Sequence, residues 1–245
     1  MNLALRTVSL GVTAWRTPQQ RRLVLAIVTA LAAAVGFARV AEDYLTNDPL
    51  ARWDVELARW LASHRTGAGE DVFRVLTFFG SPAVALAIGI LVFLVLYRRR
   101  RLHEAALLPL VLGGAELLNL ILKLAFHRPR PEVAFVQLET YSFPSGHAMI
   151  STAAYGALAY LAWSRVRTPR GRFALVAGTA ILVALICFSR VYLGVHYLSD
   201  VLAGAAGGAF WLAASIALLT LYGHRIVRRV RGSRLDRLGR RVVRA

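Results

Sequence analysis

Apolar residues in this chain come in blocks, not in alternation. Runs with few or no charges cover residues 23–38, 75–97, 105–122, 148–164, 173–189 and 201–222. A helix needs roughly 20 apolar residues to cross the hydrocarbon core of a bilayer, whereas a soluble domain interleaves polar positions at a helical or strand period. The pattern therefore predicts an all-α polytopic membrane protein, six transmembrane helices forming one bundle over residues 23–222. The shorter runs reach spanning length with their flanks. Residues 1–22 read as an N-terminal segment and residues 223–245 as a basic tail. Because residues 1–22 show no convincing small-residue cleavage site, the first helix is expected to stay as an anchor.

One segment outside the spans has its own periodicity. Within residues 51–64, Trp53, Leu57, Trp60 and Leu61 recur at helical spacing, with Asp54, Glu56 and Arg59 elsewhere around the wheel. This predicts an amphipathic external helix with tryptophans suited to the headgroup layer. Two readings stay open: it admits a lipid to a neighbouring site, or it caps the bundle.

Charge orients the bundle. The 245 residues carry a formal charge of +17 at a mean hydropathy of +0.54. Four arginines lie in residues 1–22, four in 98–103, four in 165–172 and nine from 223 onward, which makes 21 of the 30 basic residues. Six crossings place all of these segments on one side. The positive-inside rule makes that side the cytoplasm, with both termini there. The same distribution argues against nucleic acid as the partner and for membrane anchoring, with the tail from His224 against anionic headgroups. Cys187 stands alone in an apolar run, so neither a disulfide framework nor a thiolate metal site is expected. Gly204 and Gly208 form a small-xxx-small pair suited to helix packing.

Three polar blocks interrupt the apolar pattern, and all fall at the predicted external edge. The first is Lys123-x6-Arg130-Pro131, the second Pro144-Ser145-Gly146-His147, the third Ser189-Arg190-x5-His196-x3-Asp200. Ionisable groups at such depths are costly and default to function. Lys123 is the only lysine in the chain. An ammonium is a compact point charge, and the Arg130 guanidinium a fork that grips two phosphate oxygens; lysine snorkelling at a helix end is the plainer alternative for Lys123. In the second block, a helix starting near Pro144 aims the N–H groups of Ser145 and Gly146 at an anion and sets His147 at its mouth as a general acid. In the third, a four-residue spacing puts His196 and Asp200 on one helix face. The carboxylate then accepts the Nδ1 proton and leaves Nε2 free. His-Asp at that spacing is also a possible metal half-site, but three neighbouring cations suit a phosphate dianion and repel a divalent metal, so no cofactor is expected. His127 and Arg128 are read as headgroup-facing neighbours. Glu116 and Asn119 are read as either lining the Lys123 face or joining helices, outside the catalytic set.

Together the three blocks resemble the signature of the type-2 phosphatidic-acid phosphatase family, metal-independent membrane lipid phosphatases related to bacterial undecaprenyl-diphosphate phosphatases and vanadium haloperoxidases. The resemblance is close over residues 123–200, and no motif position departs from it. It implies that His196 is the nucleophile of a phosphohistidine, that Asp200 fixes its tautomer and that His147 protonates the leaving group. Lys123, Arg130, Ser145, Gly146 and Arg190 would hold the phosphoryl oxygens. The substrate would be a lipid phosphate in the bilayer, with undecaprenyl diphosphate ranked first because the site faces outward. A phosphotransferase using the same intermediate and a non-enzymatic lipid transporter are the alternative functions. Oligomeric state is not legible.

Overall fold

The computed structural model describes residues 17–136 and 139–232. It is built from helices: α1 (Pro18–Thr46), α2 (Pro49–Ser63), α3 (Gly67–Phe79), α4 (Pro82–Arg98), α5 (Leu102–Ala105), α6 (Leu107–Phe126), α7 (Gly146–Trp163), α8 (Pro169–Tyr192) and α9 (Leu198–Gly232). Four of these begin with the same local chemistry. Thr17, Thr66, Ser81 and Thr168 each accept a backbone N–H from the first turn through the side-chain hydroxyl. Pro18, Pro82 and Pro169 then occupy first-turn positions, where a missing N–H costs nothing. At the other end of α1 the chain turns through Asn47 at φ 56°.

Among the described residues, five segments are long and apolar enough to span a membrane: Pro18–Thr46, Gly67–Arg98, Leu102–Phe126, Pro169–Tyr192 and Leu198–Gly223. The protein is thus a multi-pass membrane protein, as its apolar runs predict. The sixth predicted span, α7, falls short of that apolarity, and its position explains why. It lies between α6, α8 and α9, and Ala148, Met149, Ala153 and Ala157 are completely buried. A helix enclosed by other helices needs small residues for close packing more than long apolar ones for lipid. Gly204 and Gly208 of α9 fulfil the packing role expected of them. A Cβ on either would run into the α7 backbone, at the carbonyls of Ser145 and Met149 respectively.

Three features differ from the sequence reading. The second span is not one helix over 75–97. It breaks at Gly80–Ser81, where Pro82 has no N–H to continue α3 and Ser81 starts α4 as a cap. The last helix runs through residue 223 to Gly232, so the expected tail begins as helix; residues 233–245 lie outside the described part, as do residues 1–16 of the N-terminal segment.

The third difference concerns α2, a helix as predicted but rotated from the expected orientation. Ala51, Asp54, Ala58 and Leu61 face inward, while Trp53 and Trp60 are well exposed. Leu61, with Leu57 against it, packs on Ala148, Val191 and Val201. The tryptophans therefore do not share a face with the packed leucines, and Asp54, read as lying elsewhere around the wheel, is 1% exposed.

The Arg-rich connections gather at the end of the bundle away from the three blocks. There Arg165 meets Glu104 at 3.0 Å, and Gln19 donates to the Thr220 carbonyl at 3.1 Å.

Candidate active site

At the opposite end, the C-termini of α6 and α8 and the N-termini of α7 and α9 converge, and the polar blocks come together. Lys123 sits in the last turn of α6 and donates to the Tyr141 carbonyl. The helix stops at His127, φ 48°, and the chain leaves through Pro129 and Pro131. Arg130 is held by its surroundings in one orientation. Its Nε donates to the Thr140 carbonyl at 2.7 Å, Nη2 to the Thr140 hydroxyl at 2.8 Å, and Nη1 to the Val195 carbonyl at 2.6 Å. Nη1 also points at His196 Nε2, 3.3 Å away.

The second block forms the start of α7. Ser145 is the N-cap and Gly146 the first helical residue. The expectation that both backbone N–H groups face an anion holds only in part. Ser145 N–H is spent on the Asp200 carbonyl at 2.8 Å, and Met149 N–H already closes the first helical bond to Ser145. Between them, the N–H groups of Gly146 and its two successors begin the helix with no acceptor one turn back. Asn119 is an interhelical contact, donating to the Pro144 carbonyl at 3.3 Å. A Cβ on Gly146 would lie 3.0 Å from its Oδ1, so the glycine lets the turn seat against α6. Glu116 is exposed on the same helix.

His147 follows at the helix mouth, and the break in the second span reaches it. A Cβ placed on Gly80 would lie 3.4 Å from the imidazole Cδ2 and 3.0 Å from Ser151 Oγ. From the same α3 terminus, Thr77 accepts from Arg190 Nη1 at 2.7 Å. Tyr155 donates to the Phe79 carbonyl at 2.6 Å. Thr77 and Gly80 were not flagged by the sequence. The Ser-Pro dipeptide at 81–82, which marks a helix start inside an apolar run, was the available signal.

In the third block, α8 ends at Tyr192 and the chain turns through Gly194 at φ +68°, which suits glycine. His196 precedes α9 and does not lie on it, so the shared helix face is not what pairs it with Asp200. A capping arrangement does this instead. Asp200, in the first turn of α9, reaches back with Oδ2 to Tyr197 N–H at 2.9 Å and meets His196 Nδ1 at 3.4 Å. Both residues are almost fully buried. Burial, and then the positive charges of Arg190, Arg130 and Lys123, hold the His196 imidazole well below the ordinary histidine range. The ring is therefore neutral at pH 7. With Nδ1–H turned to Asp200, its Nε2 lone pair faces the cations.

Arg128 corrects the sequence reading most sharply. It is not headgroup-facing but 5% exposed. Its Nη1 donates to Asp200 Oδ1 at 2.7 Å and to Ser199 Oγ at 2.6 Å, and Nη2 to Asp54 Oδ2 at 2.9 Å. The rings of Tyr44 and Tyr197 lie 4.5 and 4.3 Å from the guanidinium carbon. Asp54 also accepts the Ser199 N–H at 3.0 Å and the Ser199 hydroxyl. His127 stays exposed, edge-on to Tyr141.

Among the described residues, Ser145 Oγ and Arg190 Nε are buried without a hydrogen-bond partner, as is Ser151 Oγ one turn after His147. Buried polar groups are otherwise paired in native proteins, and an unpaired one asks for an explanation. Here they belong to the two elements that flank His147 and His196, the start of α7 and the end of α8. A cavity of about 400 Å³ adjoins Arg130, lined by residues 128–132 and 139–141.

Comparison with known proteins agrees with the fold. Residues 104–223 match the PAP2 superfamily domain. Phosphatidylglycerophosphatase B of Bacillus subtilis is 32% identical over 142 residues, covering 56% of this chain and 69% of the relative. Lipid A 1-phosphatase of Rhizobium etli is 33% identical over 181 residues, covering 63% and 74%. The crystal structure of the transmembrane PAP2-type phosphatidylglycerolphosphate phosphatase from Bacillus subtilis superposes with a TM-score of 0.68 at 26% identity, over 81% of this chain and 97% of that one. Aquifex aeolicus LpxE gives a TM-score of 0.54 at 25% identity, over 67% and 94%. With its three blocks gathered at one end of the bundle, the chain belongs to the PAP2 superfamily and is a membrane lipid phosphatase of that family.

Proposed function

We propose that the protein hydrolyses a phosphomonoester on a membrane lipid through a phosphohistidine at His196. The observation that carries the reading is the pair of unpartnered buried atoms, Ser145 Oγ and Arg190 Nε, beside a neutral imidazole surrounded by cations. A phosphoryl group satisfies all of them at once: its oxygens accept from Lys123, Arg130, Arg190, the Ser145 hydroxyl and the Gly146 N–H. Arg130 Nη1 then transfers its hydrogen bond from His196 Nε2 to a phosphate oxygen, which frees the nitrogen lone pair.

The chemistry follows in two steps. His196 Nε2 bonds to phosphorus as the bond from phosphorus to the lipid oxygen breaks, and His147, which takes up a proton as the bound phosphoryl group offsets the surrounding cations, gives that oxygen its proton. Asp200 stabilises the positive charge that develops on the imidazole. Water then loses a proton to His147 and attacks phosphorus. The P–N bond breaks, inorganic phosphate leaves and His196 is restored. Phosphoryl transfer is limited by positioning and charge more than by covalent chemistry, and the cations and helix N-terminus supply both.

Both curated relatives carry names that end on a lipid phosphate, one a phosphatidylglycerophosphate and one lipid A. They favour a lipid phosphomonoester over the undecaprenyl diphosphate ranked first from sequence, and phosphatidylglycerophosphate is the preferred substrate of this reading. The arginine distribution supports cytoplasmic termini and a site on the external face.

The test is phosphate release by detergent-purified protein from phosphatidylglycerophosphate, phosphatidate, lipid A phosphate and undecaprenyl diphosphate, beside His196→Ala. Release from phosphatidylglycerophosphate that is lost in the variant bears out the reading. Release from undecaprenyl diphosphate alone overturns the substrate. Transfer to an acceptor without stoichiometric free phosphate marks a phosphotransferase, and activity retained in His196→Ala overturns the mechanism.

A further inference from the structure

The cluster around Arg128 belongs to none of the three sequence blocks, yet it sits directly behind the His196–Asp200 pair. It joins four parts of the chain. Arg128 comes from the loop after α6, Asp54 from α2, Ser199 and Asp200 from the first turn of α9, and Tyr44 of α1 covers the guanidinium with Tyr197. Every strong acceptor in it is accounted for. Asp54 Oδ1 takes the Ser199 N–H, while Oδ2 takes Arg128 and the Ser199 hydroxyl. Asp200 Oδ1 takes Arg128 at 2.7 Å. That leaves only Oδ2 for Tyr197 N–H and His196 Nδ1.

Charge makes the arrangement more than a brace. Two carboxylates and one guanidinium leave a single net negative charge in a buried site. Removing the cation would leave two carboxylates without their shared partner behind the imidazole. Removing Asp54 would free the guanidinium to rotate away from Asp200, because the fork is then held on one side only.

We infer that Arg128 and Asp54 are a positioning pair for catalysis, in which Asp54 anchors Arg128 and Arg128 fixes both the charge and the orientation of Asp200 behind His196. The inference rests on the proposed attack by His196. It gives α2 a defined role, because the inward face of this surface helix carries the acid that completes the support of the nucleophile. The helix is thus neither a mere cap nor only a lipid entry.

The groups facing His196 from other elements are Lys123 of α6, His147 of α7, Arg190 of α8 and Arg130 of the loop. None of them changes in an Arg128 variant, so a shift in pH dependence reports on the cluster. The sign follows from either state of Asp200. If it stays ionised without its cation, it draws a proton to His196. If it is protonated, the Nδ1 partner is lost until the pH rises. In both cases the neutral, oriented imidazole is lost at a higher pH than in the wild type, and the acid limb of kcat moves upward.

The experiment compares wild type, Arg128→Gln, Arg128→Lys, Asp54→Asn and His196→Ala in detergent, measuring kcat and KM from pH 4.5 to 8.5 per folded molecule, with phosphatidylglycerophosphate or whichever lipid the panel identifies. Arg128→Gln is expected to lower kcat at least tenfold, about 1.4 kcal/mol, with KM within roughly twofold and the acid limb displaced upward. Asp54→Asn should shift both in the same direction by less. Arg128→Lys, which keeps the charge but not the fork, should restore the position of the limb more than it restores kcat. Unchanged kcat and limb in Asp54→Asn and either Arg128 variant, with only the yield or melting temperature lowered, overturn the inference and leave a structural brace. If Arg128→Gln does not fold, Arg128→Lys and Asp54→Asn decide. An inactive wild type, or an active His196→Ala, instead counts against the proposed hydrolysis itself and removes the basis of the pair.

Discussion

The two ends of the bundle are both rich in arginine, and they use it differently. At the end opposite the site, Arg101 and Arg165 meet Glu104 with their side chains 37% and 41% exposed. Such pairs are solvated, screened and worth little individually. At the site end, Arg128, Arg130 and Arg190 each have hydrogen bonds directed by backbone or side-chain acceptors, and Arg128 is enclosed between two carboxylates and two aromatic rings. The residue type is the same. What differs is whether the surroundings have removed water, because only then does a guanidinium fix a geometry and hold a neighbour's charge.

That contrast can be broken by substitution, and the effects should fall in a clear order. Asp200→Asn removes the charge behind His196 and reverses what its Nδ1 meets. It should lower kcat by about 10³- to 10⁴-fold while thermal unfolding shows a folded protein. A fall below tenfold would mean that the Asp200–His196 pair does not orient the nucleophile. Ser145→Ala deletes one of the unpartnered buried donors at the site. It should reduce kcat/KM by roughly 10- to 100-fold and weaken inhibition by vanadate in parallel. A variant with wild-type kcat/KM would show that the hydroxyl does not meet the phosphoryl group. Arg165→Gln, at the other end, should leave kcat unchanged and alter stability by no more than about 0.5 kcal/mol. A loss of activity there would erase the distinction between the two ends.

Much of this organisation is legible in the sequence because the membrane simplifies the code. Apolar runs must become helices, since no other backbone satisfies its own hydrogen bonds in lipid with so little help. The three polar blocks stand out as interruptions, and they do converge. What escaped was burial. Arg128 sits between His127 and Pro129, in a loop whose residues look alike on paper; only the fold sends Arg128 inward and leaves His127 outside. In α2 the tryptophans drew the eye to one side of the wheel. The packed side was marked instead by small residues, Ala51 and Ala58, at helical spacing with Asp54 and Leu61. At a membrane edge, exposed tryptophan and buried alanine are both ordinary, so an apolar wheel does not tell inside from outside.

The helix break shows a second limit. Charge-free residues 75–97 read as one span, and hydropathy is blind to the Gly-Ser-Pro that divides it. The break matters to the site, since Gly80 lies against His147 and Thr77 binds Arg190. A discontinuous helix beside polar chemistry exchanges regularity for backbone and side-chain groups placed where a continuous helix would put only apolar ones.

The account turns on His196 Nε2 forming a bond to phosphorus. The direct measurement is rapid quenching of the purified enzyme with a ³²P-labelled lipid phosphomonoester, followed by mapping of the labelled peptide. The account predicts an acid-labile, base-stable phosphoenzyme at His196, formed at least as fast as turnover and absent in His196→Ala. Steady turnover with no label on the protein, or label on His147 instead, would contradict it.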